Sequence, residues 1–157
     1  MSRWPGNAKD QRTTFGGLSR AQLMSRVRSR GNETTERRLA SLLRSAGLTG
    51  WRRHQSLPGR PDFVWPRLRV AVFADGCFWH GHKCGKNITP KTNSDAWQSK
   101  IQCNKTRDRR VTRKLREIGW IVLRIWECRL AAYPEQSIRR IELALDRASE
   151  CSPTHRE

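Results

Sequence analysis

The stretch VFADGCFWHGHKC, residues 72–84, joins the end of a predicted strand to an unusual loop. A run of β-forming residues ends at the acidic Asp75. The loop that follows contains two cysteines, two histidines, two glycines and a Phe-Trp pair. Cysteine and histidine are the side chains that bind zinc, whereas exposed aromatic side chains are suited to stacking on a partner. The loop is therefore predicted both to bind zinc and to stack aromatic side chains on a partner.

The segments around this loop predict a mixed α/β domain with a central sheet. Three short apolar runs rich in β-formers predict buried strands, and they are FVW at 63–65, LRVAVFA at 68–74 and WIVLRIW at 120–126. Helical spacing of apolar residues predicts helices over 18–30, 33–46 (with Gly47 as the stop) and 94–119. Pro134 is predicted to open a last helix with Ile138, Ile141 and Leu145 on one face.

The length of 157 residues and the lack of internal repeats predict one folded domain. We assign this domain to residues 18–148. The polar segment 1–17 is predicted to be a flexible basic arm, and 149–157 a C-terminal tail.

Charge and cysteine content narrow the class of protein. The formal net charge is +18, which favours nucleic acid as the partner. No long apolar run and no signal-peptide pattern are visible, so a membrane partner is not expected. The cysteine count of five is odd, which argues against a disulfide framework and for a reducing, cytoplasmic location.

A zinc site is predicted from cysteine and histidine spacing. Cys77, His82 and Cys84 follow the pattern C-x4-H-x-C, and Cys128 follows the strand 120–126, where it could complete a tetrahedron. The alternative is that these cysteines are buried without a metal and that His82 is a surface histidine. Cys103 and Cys151 are interpreted as ordinary residues.

Acidic residues at strand ends predict a second metal site. Asp62 precedes one predicted strand and Asp75 ends the next, so the two carboxylates could share a divalent ion such as Mg²⁺. Such an ion can support hydrolysis of a phosphodiester. The alternative is that both acids cap turns or pair with arginines.

Two further residues are candidates for this centre. His80 could act as a general base or proton shuttle for an attacking water. It could instead have no role, or replace His82 as the zinc ligand. Glu36 projects from the helix predicted over 33–46 and could orient a metal-bound water, although a solvated helix glutamate is the commoner case.

Four segments together resemble the very-short-patch-repair (Vsr) mismatch endonucleases. They are TTERRLASLL, SLPGRPDFVW, VFADGCFWHGHKC and WIVLRIWECRL, and the resemblance extends from about Met24 to Leu130. It implies a restriction-endonuclease-like fold, in which helices flank a central mixed sheet, with a structural zinc. It also implies a bacterial, cytoplasmic, nucleoid-associated enzyme that uses Mg²⁺ to nick DNA 5′ to the thymine of a T:G mismatch. Such mismatches arise by deamination of 5-methylcytosine, and the nick initiates very short patch repair.

The resemblance also implies roles for single residues. Asp62 and the backbone carbonyl of Ala74 would bind Mg²⁺, and Asp75 is expected to add a second carboxylate. His80 would be the catalytic histidine and Glu36 the active-site glutamate. The implied zinc ligands are Cys77, His82, Cys84 and Cys128, the residues that enter the base stack are Phe78, Trp79 and Trp97, and those that contact DNA are Met24, Lys100 and Asn104.

The chain departs from the family pattern at Ala74-Asp75, where some members have Thr-His. A threonine there binds metal through its backbone carbonyl, which Ala74 also has. The role of Asp75 is therefore the open question in the predicted centre. The expected partner is mismatched double-stranded DNA, with a cytosine-5 methyltransferase and a mismatch-repair protein as functional partners, and a monomer is expected.

Two other functions are compatible with parts of the sequence. One is a DNA-binding module without catalysis, which the acidic residues and His80 disfavour because a pure binder needs no carboxylate cluster facing phosphates. The other is a nuclease of the same fold with a different DNA target, which the aromatic residues disfavour because they suit a distorted, mismatched site. A third interpretation leaves all three aromatic residues in the core.

Overall fold

The computed structural model describes residues 33–84 and 94–151. The predicted arm 1–17, the helix predicted over 18–30 and Met24 lie outside the described residues. The helices are α1 (Arg38–Ser45), α2 (Ser94–Glu117), α3 (Glu127–Ala132) and α4 (Pro134–Cys151), and the strands are β1 (Phe63–Trp65), β2 (Val70–Asp75) and β3 (Ile121–Trp126).

The first helix continues a π-helical turn, Glu33–Arg37, that carries Glu36. Its apolar residues Leu39 and Leu43 are fully buried, as their spacing of one turn predicts. The helix stops at Gly47, which adopts a positive φ of 69°. Backbone hydrogen bonds from Gly47 and Leu48 to the carbonyls of the last turn close this end, as expected for a glycine-terminated helix.

The three strands form a mixed sheet in the order β1-β2-β3. β1 pairs antiparallel with β2, and β2 pairs parallel with β3. The parallel register sets Phe73 beside Arg124 and Asp75 beside Trp126. Because parallel strands need a long crossover, α2 connects β2 to β3. The loop after β2 and the helix α3 after β3 therefore begin at the same edge of the sheet.

Helices cover both faces of this sheet. On one face Val70, Val72 and Leu123 pack with residues of α1 and α4 in the larger core cluster. On the other face Phe73 and Val122 pack against Leu115 of α2, with further residues of the second cluster. Side chains of a strand alternate between faces, so Asp75 and Arg124 share the face that α2 covers.

The prediction of a mixed α/β domain with a central sheet is confirmed. β2 begins later than predicted, at Val70, because Arg69 adopts a positive φ of 51° in the preceding turn. α3 was not predicted, since its residues continue directly from the apolar run of β3. α4 extends to Cys151, into the segment predicted as a tail. In the described parts of the chain, every helix is too short or too polar to cross a membrane.

Candidate active site and metal centre

Four side chains meet where the loop after β2 lies beside the first turn of α3. They form the Cys/His cluster, which consists of Cys77, His82, Cys84 and Cys128. One ligand atom from each residue lies within 4.8 Å of the others. Nδ1 of His82 is 3.7 Å from Sγ of Cys77 and 3.4 Å from Sγ of Cys128. Tetrahedral zinc with ordinary bond lengths places its ligand atoms about 3.4–3.8 Å apart, so this set could hold a metal such as zinc.

The electrostatics of the cluster also fit a bound cation. Burial raises the pKa of the Cys77 thiol to about 12, and the neighbouring Cys128 and Cys84 side chains add to the rise. The backbone N–H of Cys128 opposes it by donating to Sγ of Cys77 at 3.4 Å. Thiolates so close together repel each other, and a divalent cation removes that cost by binding them in the deprotonated form.

The cluster is supported by groups around its ligands. The imidazole of His82 stacks on Trp126, the last residue of β3, with ring centroids 4.2 Å apart and planes inclined by 17°. A carboxylate oxygen of Glu127 accepts a hydrogen bond from the backbone N–H of Cys77 at 3.4 Å. Such contacts fix the orientation of ligands before a metal binds.

The loop between the ligands is pressed against α2. Gly81 adopts a positive φ of 60°, and a Cβ there would overlap Cε of Lys105 and lie 2.6 Å from Cγ2 of Ile101. Only glycine satisfies both the backbone conformation and this close approach. The side-chain amide of Asn104 donates to the carbonyl oxygen of Trp79 at 2.8 Å, which ties the loop to α2 a second time.

Phe78, Trp79 and Trp97 form an aromatic cluster beside this loop. Their ring centroids are 5.2, 5.5 and 5.9 Å apart, and the rings meet edge to face. All three side chains are half-buried and none belongs to the two core clusters. The interpretation that places them in the core is therefore not favoured. Lys100 is exposed one turn along α2 from Trp97.

Three acids, Glu36, Asp62 and Asp75, form the acidic centre. Burial is the main cause that raises the pKa of Asp62 to about 6. The charges of Glu36 and Asp75 add to the rise, whereas a hydrogen bond from the N–H of Ala74 (2.8 Å) opposes it. A divalent cation bound to Asp62 would oppose this rise, because it favours the ionised form of the carboxylate.

Glu36 is buried, with 4% of its surface exposed, so it is not the solvated glutamate of the alternative interpretation. Its carboxylate pairs with Arg53, whose guanidinium also lies over the ring of Phe63. Within residues 33–84 and 94–151, the buried Nε of Arg53 has no hydrogen-bond partner. Arg53 was not recognised from the sequence, where it is one of many arginines.

Asp75 belongs to a network that sequence reasoning missed. Arg124 donates to both carboxylate oxygens of Asp75, with Nε–Oδ2 at 2.5 Å and Nη2–Oδ1 at 2.8 Å. The same guanidinium reaches Oδ1 of Asp108 at 3.1 Å. Nδ1 of His80 lies 2.5 Å from Oδ2 of Asp108, and Nε2 lies 3.6 Å from Oδ1 of Asp75. We name these four residues the Arg124 network. His80 is thereby separate from the Cys/His cluster, in which His82 is the histidine.

The charges in this network stabilise each other. Burial alone would raise the pKa of Asp108, but the hydrogen bond to His80 and the charge of Arg124 hold it below its ordinary value. Burial alone would lower the pKa of Arg124, but Asp75 and then Asp108 raise it. Asp108 is therefore ionised and accepts a hydrogen bond from Nδ1–H of His80, so that in the neutral imidazole Nε2 is the unprotonated nitrogen.

Arg124 and Asp108 were not predicted as site residues, although the sequence pattern marks both as charges at buried positions. Arg124 is a charged residue in the middle of an apolar strand. Asp108 precedes Val111 and Leu115 by one and two turns, so it lies on the face of α2 that packs against the sheet. A charge in either position requires a partner.

Comparisons of the sequence with known proteins identify its relatives. Residues 14–86 match the family model described as DNA mismatch endonuclease Vsr. The chain is 50% identical over 95 residues to the DNA mismatch endonuclease Vsr of Escherichia coli (strain K12), which covers 60% of this chain and 61% of that protein. It is 42% identical over 112 residues to the type II nicking enzyme V.XorIIP of Xanthomonas oryzae pv. oryzae, covering 71% and 82%. The type II nicking enzyme V.HpaIIP of Haemophilus parainfluenzae is 35% identical over 108 residues, covering 68% and 77%.

These relatives fall into one class, endonucleases whose names specify a DNA mismatch or a nick. The match to V.XorIIP spans most of that enzyme, whereas the match to the Escherichia coli protein spans less than two thirds of it. Together with the family match, they show that the chain belongs to the Vsr family.

Proposed function

We propose that this protein is a Mg²⁺-dependent DNA endonuclease with a restriction-endonuclease-like fold. It nicks one strand 5′ to the thymine of a T:G mismatch and so initiates very short patch repair. One observation carries the proposal: a single loop connects the Cys/His cluster, the aromatic cluster and His80, and the acidic centre lies beside it.

Recognition is assigned to the aromatic cluster. Phe78, Trp79 and Trp97 are half-buried and packed against one another, and insertion of such side chains into a duplex unstacks a base step. Unstacking costs a few kcal/mol and costs least at a mismatched step. That difference favours a T:G step over a paired one, and hydrogen bonds to base edges supply the remaining selectivity.

Affinity is assigned to the positive surface. The exposed face of α2 carries seven basic residues, which are Lys100, Arg107, Arg109, Arg110, Arg113, Lys114 and Arg116. A surface of this kind binds the phosphate backbone without reading sequence. Lys100 and Asn104 are proposed to lie at the DNA, as is Met24 from outside the described residues.

Catalysis is assigned to the acidic centre and His80. Asp62 is the proposed ligand of Mg²⁺ together with the carbonyl of Ala74, and Glu36 orients solvent there. Mg²⁺ supplies stabilisation of the negative charge that develops on the scissile phosphate. Nε2 of His80, which is unprotonated in the neutral imidazole because Nδ1–H faces Asp108, accepts the proton of the attacking water. The Cys/His cluster is proposed to bind zinc, which holds the loop in place.

The test is a nicking assay on two duplexes that differ only in one T:G or T:A pair, with flanks drawn from a randomised library. The expected result is a cut in the T strand 5′ to the mismatched thymine, dependent on added Mg²⁺ and absent for Asp62→Asn. Equal cutting of both duplexes would instead indicate a nuclease with a different target. Tight binding to T:G duplex without any cut would indicate a non-catalytic module.

A further inference from the structure

We propose that Asp75 anchors Arg124 instead of binding the catalytic metal, and that Arg124 is a positioning residue which holds Asp108 and His80 for the reaction. This inference rests on the endonuclease function proposed above and revises the expected role of Asp75 within it. Its evidence is the geometry of the Arg124 network.

The strand register dictates which residues meet. Phe73 and Arg124 are partners in the parallel ladder, so their side chains lie next to each other on the face covered by α2. The Arg124 guanidinium carbon lies 4.8 Å from the centroid of the Phe73 ring. Asp75 follows Phe73 by two residues, on the same face, and is reached by the end of the Arg124 side chain.

The Asp75 carboxylate is fully engaged in this arrangement. Arg124 donates to each of its two oxygens, in the bidentate geometry that matches a guanidinium to a carboxylate. The side chain of Asp75 is only 4% exposed. To bind Mg²⁺, Asp75 would have to release Arg124, or the metal would have to approach a fixed cation at the same carboxylate. Within residues 33–84 and 94–151, no arginine is ion-paired to the Asp62 carboxylate, which accepts one backbone N–H and is influenced by Arg53 only through its charge.

Arg124 also holds the second acid of the network. Its Nη2 lies 3.1 Å from Oδ1 of Asp108, and its Nη1 donates to the Asp108 backbone carbonyl at 3.5 Å. One guanidinium therefore stands between a carboxylate of β2 and a carboxylate of α2. Without it, the two negative charges would face each other in a buried place.

The position of Asp108 decides the state of His80. Asp108 contacts Nδ1 of His80 at 2.5 Å, which places the proton of neutral imidazole on Nδ1 and leaves Nε2 as the base. Arg124 is therefore two contacts removed from the reacting proton, and it acts through Asp108. Its role is to keep the base in one orientation and one tautomer.

The first experiment compares metal binding by four forms of the zinc-loaded protein, titrated with Mn²⁺ and followed by the EPR signal of the free ion. The forms are the unaltered protein, Asp62→Asn, the double variant Asp75→Asn with Arg124→Met, and the control Arg113→Met with Glu117→Gln. Each double variant removes one positive and one negative charge, and the control pair lies exposed on α2. Net charge is therefore matched between them.

Because the double variant keeps the net charge of the site, its Mn²⁺ affinity is expected to stay within about twofold of the unaltered protein. Asp62→Asn should weaken binding by roughly tenfold or more, since even outer partners of a metal ligand contribute that much. If the double variant loses Mn²⁺ as Asp62→Asn does, Asp75 is a ligand and the inference is overturned. If the unaltered protein binds no Mn²⁺, the metal-dependent function itself is overturned, and the inference with it.

The second experiment measures the tautomer of His80 by long-range ¹H–¹⁵N NMR and the single-turnover nicking rate. In the double variant the His80 signals should shift toward a mixture of tautomers. Nicking should slow by about 10- to 100-fold, part of the roughly 10²–10⁴-fold that a positioned base contributes, at unchanged duplex affinity. Arg124→Lys keeps the positive charge but loses the bidentate hydrogen bonds of the guanidinium. Its nicking rate should therefore lie between those of the double variant and the unaltered protein. An unchanged His80 spectrum with only a lower melting temperature would reduce Arg124 to a structural residue and overturn the proposal.

Discussion

The Cys/His cluster and the acidic centre are neighbours at one edge of the sheet, but their side chains are held in different ways. The ligand atoms of the Cys/His cluster converge on one point and are supported by Trp126 and Glu127. In the acidic centre the carboxylates are shared with arginines, since Arg53 pairs with Glu36 and Arg124 with Asp75. Among the described residues no arginine is ion-paired to Asp62, and the pKa of Asp62 is raised to about 6.

The Cys/His cluster and the acidic centre are therefore expected to affect the stability of the fold in opposite directions. A closed set of four ligands contributes to folding when it is filled, because the free energy of metal binding becomes free energy of folding. A buried carboxylate with a raised pKa does the reverse, since the folded state must carry a charge it disfavours. Substitution of a ligand in the Cys/His cluster should therefore lower the stability of the protein, whereas substitution of Asp62 should raise it.

The largest effect is expected for Cys128→Ser. Structural zinc contributes on the order of 10 kcal/mol in small zinc domains, and the loss of one of four ligands should remove bound zinc and several kcal/mol of stability. Zinc content by atomic absorption and the free energy of unfolding in urea measure both. Cys103→Ser is the matched control, since Cys103 is exposed on α2. Equal zinc content and equal unfolding in the two variants would refute the structural role of the cluster.

Asp62→Asn should abolish nicking and yet stabilise the fold. The pKa of Asp62 is 3.8 ordinarily and about 6 in the folded protein. The folded state thus binds more protons than the unfolded state between these values, so stability falls as pH rises through this window. About two pKa units correspond to roughly 3 kcal/mol.

Without Mg²⁺, the Asp62→Asn variant would therefore be more stable than the unaltered protein at pH 7.5, and the gap should close as the pH falls through 6 towards 4. Urea unfolding at a series of pH values measures this difference. Asp146→Asn, at an exposed position of α4, is the control and should leave the pH profile unchanged. A loss of stability at pH 7.5 would mean that Asp62 is satisfied within the fold, and the contrast with the Cys/His cluster would disappear.

The sequence predicted the elements that bring the cysteines together. Two apolar runs separated by a long helix predict parallel neighbours, and the loops after such strands must meet at one edge. Cys128 was assigned to the ligand set because it follows the strand predicted over 120–126, and the structure places it beside Cys77, His82 and Cys84. The mixed sheet follows from the same pattern.

The partners of charged residues could not be predicted in this way. Periodicity shows which face of α2 is buried but not which arginine reaches it, so the pairing of Asp108 with Arg124 was missed. The alternative in which an acid meets an arginine describes the contacts of Asp75. Asn104 was expected to contact DNA, and in the structure its amide donates to the loop at Trp79.

A smaller effect is expected from substitutions in the aromatic cluster, whose residues are not proposed to bind a metal. The double change Phe78→Ala with Trp79→Ala should lower the preference for T:G over T:A duplex by at least about tenfold, since stacking on a base contributes about 1–3 kcal/mol. Ratios of dissociation constants by fluorescence anisotropy measure the preference. Tyr133→Ala, at an exposed aromatic residue away from the loop, is the control. An unchanged ratio would mean that the cluster has no part in recognition.

The smallest effect is expected for Asn104→Ala. This substitution tests whether zinc bound to the Cys/His cluster is enough to hold the loop after β2. The amide of Asn104 bonds the Trp79 carbonyl in the absence of DNA. A hydrogen bond of this kind contributes about 0.5–1.5 kcal/mol, so the melting temperature of the free, zinc-loaded protein should fall by roughly 1–6 °C. Gln102→Ala, on an exposed position of the same helix, should leave the melting temperature unchanged.

If Asn104→Ala melts like the control but binds T:G duplex less tightly, Asn104 is a DNA contact and the Cys/His cluster fixes the loop without it. If it melts earlier, the loop needs both supports, and the rigidity that positions His80 is shared between the cluster and α2.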